Sequence, residues 1–258
     1  MRCHYQFLAG VILFLTSVVF GADAGAAINN TAYGILAFSS GQSAMTNNIV
    51  AFDLESDTEP TFRRAVGYYK TSTAGAYGDD AYYMAASQVI GSIEVAKELV
   101  RVDLEAGTYK TVGELTGYTN LINDMTYDRS AAKMYAISRI DNTRSALFTI
   151  DLKTAESSLV ANLDRKFFTL AADYSGNLFA ISFDGDLCSI DKTTGKVRVI
   201  GSTGQHPETF QSMEFDHATR TLWWIATTRR LNESGTIELS ECFVAKVNTS
   251  TGAITRCN

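Results

Sequence analysis

The sequence predicts an all-β fold built from repeated units, and three observations support this prediction. A hydrophobic strand that runs into Asp or Asn and a polar turn recurs five times, at intervals of about 40–57 residues. Apolar residues alternate or run over short stretches, as strands do, with no helical period after the N-terminal segment. Proline occurs only at Pro60 and Pro207, both in predicted loops. This period is typical of a β-propeller of four-stranded antiparallel blades. The five recurring segments begin at Ile49, Leu99, Leu147, Leu187 and Phe243.

The predicted strands of a unit are labelled A to D in chain order, and strand A is recognised in three of the units. Strand A ends in Asp, strand B is rich in aromatic and small residues, strand C ends at the anchoring acid or amide, and strand D follows the turn. Asx side chains bind backbone amides in such turns, so we interpret these acids as turn residues rather than acid–base or metal groups. The anchors of strand C are Asp53, Asp103, Asp151, Asp191 and Asn248, and the acids of strand A are Asp128, Asp173 and Asp216.

Residues 1–24 are predicted to form a signal peptide, which leaves 25–258 as the propeller domain. Arg2 and His4 precede an apolar run, and small residues follow that run. The run is shorter than the roughly 20 residues that span a bilayer, so we expect cleavage, before Gly25, rather than stable membrane insertion. The expected location is therefore secreted, periplasmic or at the cell surface.

The two ends of the repeat array do not match. The first unit begins at strand B, near Ala32, and the last unit ends at strand D, next to Asn258. The first blade therefore lacks an A strand, which predicts four full blades and a three-stranded one. Either a ring of five units closes imperfectly or the natural chain continues with more blades. We favour continuation, because an open ring leaves unpaired strand edges.

Three cysteines remain once the signal peptide is removed, and no spacing among them suggests zinc. Two of them flank the predicted last hairpin. Pairing Val247 with Gly252 would place Cys242 opposite Cys257, which allows a cross-strand disulfide in an exported protein. Two ordinary buried thiols are the alternative.

The composition and the missing motifs exclude several functions. The formal net charge of −6 without a basic run argues against nucleic acid as the main partner. The chain has no HExxH, P-loop or GxSxG motif, so no catalytic residue is predicted. No cofactor is expected either.

The D–A and B–C loops open onto the face of a propeller where ligands usually bind. Polar and aromatic groups that converge there would suit a protein, a glycan or a small polar ligand. Lys166 and Arg229 lie in the same loops. The alternative is that the aromatic side chains cap the core and the histidine is merely solvated. The candidate binding residues are Tyr118, Asn123, Asp124, Phe168, His206 and Gln211.

The repeats resemble those of a known group of propellers. The stretch DKTTGKVRVI, from Asp191 to Ile200, is similar to the Asp-x-x-Thr-Gly-Lys turn of quinoprotein blades. Over about residues 31–258 the chain resembles the YncE-like and quinoprotein-like propellers of exported bacterial proteins. Those enzymes carry a tryptophan shortly after the Lys, whereas Val199 and Ile200 occupy that region here. The resemblance concerns architecture, which implies no function by itself.

Two functions are consistent with these observations. The first is a non-enzymatic propeller that binds its ligand through the loop face. The second is a lactonase- or lyase-type enzyme with a divalent metal in the central channel, held first by Asn123 and Asp124. Such a site needs oxygen ligands from several blades, and the equivalent positions include Phe168 and Gln211, which are poor ligands. Binding is therefore the favoured prediction.

Overall fold

The computed structural model describes residues 11–20, 31–40, 46–54, 61–68, 70–78, 81–90, 93–117, 122–209, 211–231, 234 and 237–257. Within these ranges the regular elements are all β-strands, arranged as five four-stranded antiparallel sheets. None of the described segments forms a helix with the length and hydropathy needed to cross a bilayer. The predicted all-β propeller is confirmed.

Each blade consists of four strands that follow one another along the chain. Blade 1 contains β1 (Val11–Phe20), β2 (Thr31–Ser40), β3 (Thr46–Asp53) and β4 (Thr61–Val66). Blade 2 contains β5 (Thr71–Tyr77), β6 (Tyr82–Ile90), β7 (Ile93–Val102) and β8 (Tyr109–Glu114). Blade 3 contains β9 (Ile122–Asp128), β10 (Lys133–Arg139), β11 (Ser145–Ile150) and β12 (Ser157–Asn162). Blade 4 contains β13 (Ala171–Ala172), β14 (Leu178–Ile181), β15 (Asp186–Ile190) and β16 (Val197–Ser202). Blade 5 contains β17 (Ser212–Asp216), β18 (Thr221–Leu231), β19 (Ile237–Val247) and β20 (Ile254–Arg256).

The A strands, which are β1, β5, β9, β13 and β17, form the inner wall of the ring. Each of them contacts the A strand of the next blade, and β17 contacts β1. The ring is therefore closed through five blade-to-blade contacts. Strand D of every blade lies at the outer end of its sheet.

The predicted three-stranded first blade is wrong. The apolar run supplies β1, which pairs antiparallel with β2 from Val11 opposite Ser40 to Phe20 opposite Ala32. The sequence reasoning missed this strand because it assigned the run to a removable leader. Cleavage before Gly25 stays a prediction, and it would take β1 away from blade 1.

Two adjacent tryptophans on strand B of blade 5 pack into different layers of the core. Trp224 is fully buried in the cluster that includes Phe179 of blade 4, whereas Trp223 packs against Val50 and Leu54 of blade 1. Successive side chains of a strand point to opposite faces, so one strand serves both neighbouring interfaces. Both side chains therefore pack between blades.

The repeated acids and the amide of Asn248 bind turn amides, as predicted, except that the role of Asp53 stays a prediction. At the C–D turn of blade 3, Asp151 Oδ1 accepts hydrogen bonds from the backbone amides of Lys153 at 2.7 Å and Thr154 at 2.9 Å. Such bonds satisfy amides that no strand partner reaches. Equivalent bonds are accepted by Asp103, Asp191, Asn248, Asp128, Asp173 and Asp216.

The fourth residue after the strand C anchor adopts a positive φ and docks on the preceding blade. Gly195 has φ of 71°, and a Cβ built on it would lie 2.2 Å from the Cβ of Ala161 on β12. At the interface between blades 2 and 3, the glycine and the alanine exchange places. Ala155, with φ of 64°, occupies the turn and Gly113 occupies the opposing D strand. At each of these two interfaces, the space between the C–D turn and the opposing D strand holds one alanine methyl group, and the residue facing it is glycine.

The predicted register of the last hairpin is wrong. Val247 pairs with Ile254, because Gly252 belongs to the turn and its amide donates to the carbonyl of Asn248 at 2.8 Å. The shift places Cys257 beside Val244 instead of Cys242, and the two sulfur atoms are not joined by a disulfide.

Candidate functional site

The loop between blades 3 and 4 is held against the B–C hairpin of blade 4 by backbone bonds. The Phe183 amide donates to the Lys166 carbonyl at 2.9 Å, and the Phe168 amide donates to the Ile181 carbonyl at 3.0 Å. Phe167 and Ser182 form an isolated antiparallel bridge between these bonds. The loop therefore extends the sheet, and its side chains are positioned by the backbone.

The loop between blades 4 and 5 is held in the same way on blade 5. The Glu208 amide donates to the Thr227 carbonyl at 2.8 Å, and the Arg229 amide donates to the His206 carbonyl at 2.9 Å. Pro207 and Thr228 form the bridge here. Both D–A loops are thus fixed to neighbouring B–C hairpins on the same face of the ring.

Two of the predicted binding residues, Phe168 and Gln211, are buried beneath this face. Phe168 is 2% exposed and packs against Phe183, with ring centroids 5.6 Å apart. Gln211 is buried, accepts a hydrogen bond from Trp224 Nε1 at 2.6 Å and donates to the carbonyl of Glu208. Both side chains are used within the protein, so their contribution to a site is to position its loops.

Three further predicted residues have different surroundings. His206 is exposed, and Asn123 is partly buried with no hydrogen-bond partner for Oδ1 among the described residues. Tyr118 lies outside the described residues. The convergence of the six predicted side chains on one ligand stays a prediction.

Asp124 lies at the centre of the ring, where it joins three blades. Its Oδ1 accepts from the Met125 amide at 3.0 Å, and its Oδ2 accepts from the amides of Leu170 at 2.9 Å and Met213 at 3.3 Å. The residue is fully buried. Burial raises the pKa of the Asp124 carboxyl, and the three amide bonds oppose that rise. These contacts make Asp124 a residue that holds blades 3, 4 and 5 together.

A group of cationic and aromatic side chains occupies the loop face beside these loops. The Phe183 ring is 38% exposed, Lys166 Nζ lies 4.4 Å from its centroid, and Arg229 Cζ lies 5.6 Å from it. Arg139, exposed at the end of β10, is within electrostatic reach of Lys166. We call Arg139, Lys166, Phe183 and Arg229 the cationic patch.

The patch carries more positive than negative charge. Burial lowers the pKa of Lys166, and the positive charges of Arg139 and Arg229 lower it further, whereas Glu208 opposes the shift. Glu208 Oε1 lies 3.5 Å from Arg229 Nη1, at the limit of an ion pair. The charge of Lys166 therefore experiences two arginines and one carboxylate, on a protein whose formal net charge is −6.

Sequence reasoning missed two of the four patch residues. Arg139 and Phe183 lie at the B–C connections of blades 3 and 4, where no repeated motif marks them. The signal was present for Phe183, because a large aromatic side chain directly precedes a polar Asp184-Gly185 turn. The Phe183 ring lies near Lys166 because the segments that carry these residues pair through the backbone. No local sequence pattern predicts that pairing.

Another buried polar group, the hydroxyl of Tyr82 on β6, lies against the inner strand β5. Tyr82 is fully buried, and its hydroxyl has no hydrogen-bond partner among the described residues. A Cβ at Gly75 would lie 2.1 Å from that oxygen, so the hydroxyl fills the side-chain space of an inner strand. Burial raises the pKa of Tyr82, and the charges of Asp124 and Glu214 raise it further.

Glu214 makes the stability of the ring depend on pH. Burial raises the pKa of its carboxyl to about 8, well above the ordinary value of 4.5. Between these two values the folded protein holds a proton at Glu214 that the unfolded chain has released, so the contribution of Glu214 to stability falls as pH rises. We expect the urea midpoint of the protein to decrease from pH 5 to pH 8, and Glu214→Gln to remove much of that decrease.

The control for this prediction is Glu156→Gln, on an exposed turn of blade 3. This variant should retain the pH dependence of the unmodified protein. An equal decrease in the Glu214→Gln variant would show that other groups cause the effect.

The fold and the site define a class of protein, a closed five-bladed propeller with a cationic patch on its D–A and B–C loop face. In the described ranges, no three His, Cys, Asp or Glu side chains lie together as a metal site would require. No protein-family model matches the sequence, and no curated protein matches it either. The resemblance to YncE-like and quinoprotein-like propellers therefore depends on the repeat pattern alone.

Proposed function

We propose that this protein is a non-enzymatic binding propeller that takes its ligand on the D–A and B–C loop face. The observation that carries the proposal is the cationic patch, in which an exposed Phe183 ring lies between Lys166 and Arg229. An exposed ring between two cations offers a ligand apolar surface and positive charge at the same place. The proposal includes export, which would bring the face to the outside of the cell.

Rigidity of the face supports the same function. The loops that carry Lys166 and His206 are paired with the hairpins that carry Phe183 and Arg229. Binding of a ligand would therefore cost little conformational entropy in the loops. The metal-dependent alternative gains no ligand set from the described residues, because Asp124 already accepts three backbone amides.

The test compares two exposed aromatic side chains on opposite faces of blade 4. Phe183 lies in the B–C turn, and Tyr174, which is 52% exposed, lies in the A–B turn. Wild type, Phe183→Ala and Tyr174→Ala would be applied to arrays of acidic glycans, neutral glycans and defined acidic peptides. We expect Phe183→Ala to weaken binding by about tenfold or more and Tyr174→Ala to leave it unchanged.

Circular dichroism and thermal unfolding would confirm that both variants are folded. Binding that survives Phe183→Ala, or that is lost in Tyr174→Ala, would place the ligand elsewhere. Absence of binding to every probe would contradict the proposal.

A further inference from the structure

We propose that the cationic patch recognises a uronate, the carboxylated sugar unit of an acidic glycan. This inference rests on the proposed function, because it names the ligand class of the same face. Three features of the patch carry it, namely its uncompensated charge, its exposed aromatic ring and its fixed geometry.

The first feature is positive charge that the described residues do not neutralise. Among the described residues neither Arg139 nor Lys166 makes an ion pair, and Lys166 Nζ lies 4.4 and 5.2 Å from the ring centroids of Phe183 and Phe168. Arg229 has one distant carboxylate partner, and its Nε has no acceptor among the described residues. Mutual repulsion among the three cations is relieved when a carboxylate binds between them.

The second feature is the exposed ring beside these cations. Phe183 offers apolar surface for the C–H groups of a sugar, while Lys166 and Arg229 stand next to the ring. A uronate carries an apolar C–H surface and a carboxylate on one rigid ring, so it can use both parts of the patch at once. A neutral sugar would leave the cations unused.

The third feature is that the patch is small and local. Its lysine and arginines come from blades 3 to 5, on loops and strand ends that are paired through the backbone. A nucleic acid is recognised by a long basic stripe along its phosphates, and this acidic protein offers a local patch instead. An acidic peptide presents its carboxylates on flexible side chains, which lose more rotamer freedom on binding than a sugar ring does.

The experiment measures binding of oligogalacturonate, neutral galactose oligomers and oligoglutamate by isothermal titration calorimetry. The variants are Lys166→Met, which keeps the alkyl stem over the rings, and Arg139→Gln, which removes an exposed charge. Lys153→Met, on an exposed C–D turn of the opposite face, is the matched control.

We expect wild type to bind oligogalacturonate, and each patch variant to weaken that binding about tenfold. Lys153→Met should bind like wild type. Raising the salt concentration should weaken the wild type more steeply than Lys166→Met, because the variant has one fewer charge to screen.

The other outcomes overturn the inference. Neutral oligomers that bind as tightly as oligogalacturonate, or oligoglutamate that binds more tightly through the same residues, would leave the loop face as a binding face for a different ligand. Equal oligogalacturonate binding in the patch variants would place the glycan elsewhere. Failure of all three probes would refute the uronate, and the array comparison of Phe183→Ala with Tyr174→Ala would then decide the proposed function separately.

Discussion

Replacing Asp124 with alanine is expected to destabilise the ring by about 3–5 kcal/mol, measured as the free energy of unfolding in urea. The variant leaves the backbone amides of Leu170 and Met213, which come from blades 4 and 5, without their acceptor. The site is fully buried, so water cannot replace the carboxylate without opening the ring. The variant should have a lower urea midpoint than the wild type, and its blades 3 to 5 should unfold less cooperatively.

Two variants separate this effect from the simple removal of an acid. Asp124→Asn keeps one acceptor oxygen and should cost clearly less than Asp124→Ala. Asp141→Ala removes a carboxylate that also accepts from two backbone amides, those of Thr143 and Arg144, but on an exposed turn where water can substitute. A loss in Asp141→Ala as large as that in Asp124→Ala would refute the role of Asp124 as the junction of the blades.

Gly195→Ala is expected to destabilise the interface between blades 3 and 4 by about 2–5 kcal/mol. The left-handed φ of 71° costs about 1–2 kcal/mol for a residue with a Cβ. The new methyl group would lie 2.2 Å from the Cβ of Ala161, and overpacking of this kind costs about 1–3 kcal/mol. Thermal and urea unfolding would measure the sum of the two effects.

The chain offers a control for each part of this loss. Gly204 has φ of 70° and nothing within 4 Å of a built Cβ, so Gly204→Ala reports the backbone strain alone. The double variant Ala161→Gly/Gly195→Ala reproduces the arrangement of Gly113 and Ala155 at the previous interface. It should recover at least about 1 kcal/mol of the loss in Gly195→Ala. No recovery would show that the two positions are not coupled.

The fold was largely predictable because its signals are local. Asp151 and Asp191 end their strands and bind the amides two and three positions ahead, so a short segment is enough to recognise each turn. The alternation within strands likewise depends on neighbours in the sequence. These features predict the strands of each blade, the five repeated units and the propeller architecture.

The candidate site was less predictable because its residues meet across blades. Asp124 was named as a binding residue, yet its carboxylate accepts amides 46 and 89 residues further along the chain. Phe183 was overlooked, although it is the exposed ring of the patch. In both cases the role depends on which segments pair through the backbone in three dimensions.

The closure of the ring shows the same limit at the N-terminus. The apolar run was assigned to a leader from its hydrophobicity and its flanking residues, and the same hydrophobicity suits an inner strand. The pairing of Val11 with Ser40 and the contact of β1 with β17 are what assign it to blade 1.

By itself the sequence determined the strands, the Asx turns and the propeller architecture, since each follows from hydrogen bonding and side-chain alternation within a few residues. The tertiary structure alone decided how the ring closes, why Asp124 is buried and which cations gather around Phe183. Those outcomes depend on long-range packing, in which residues far apart in the chain share one desolvated environment.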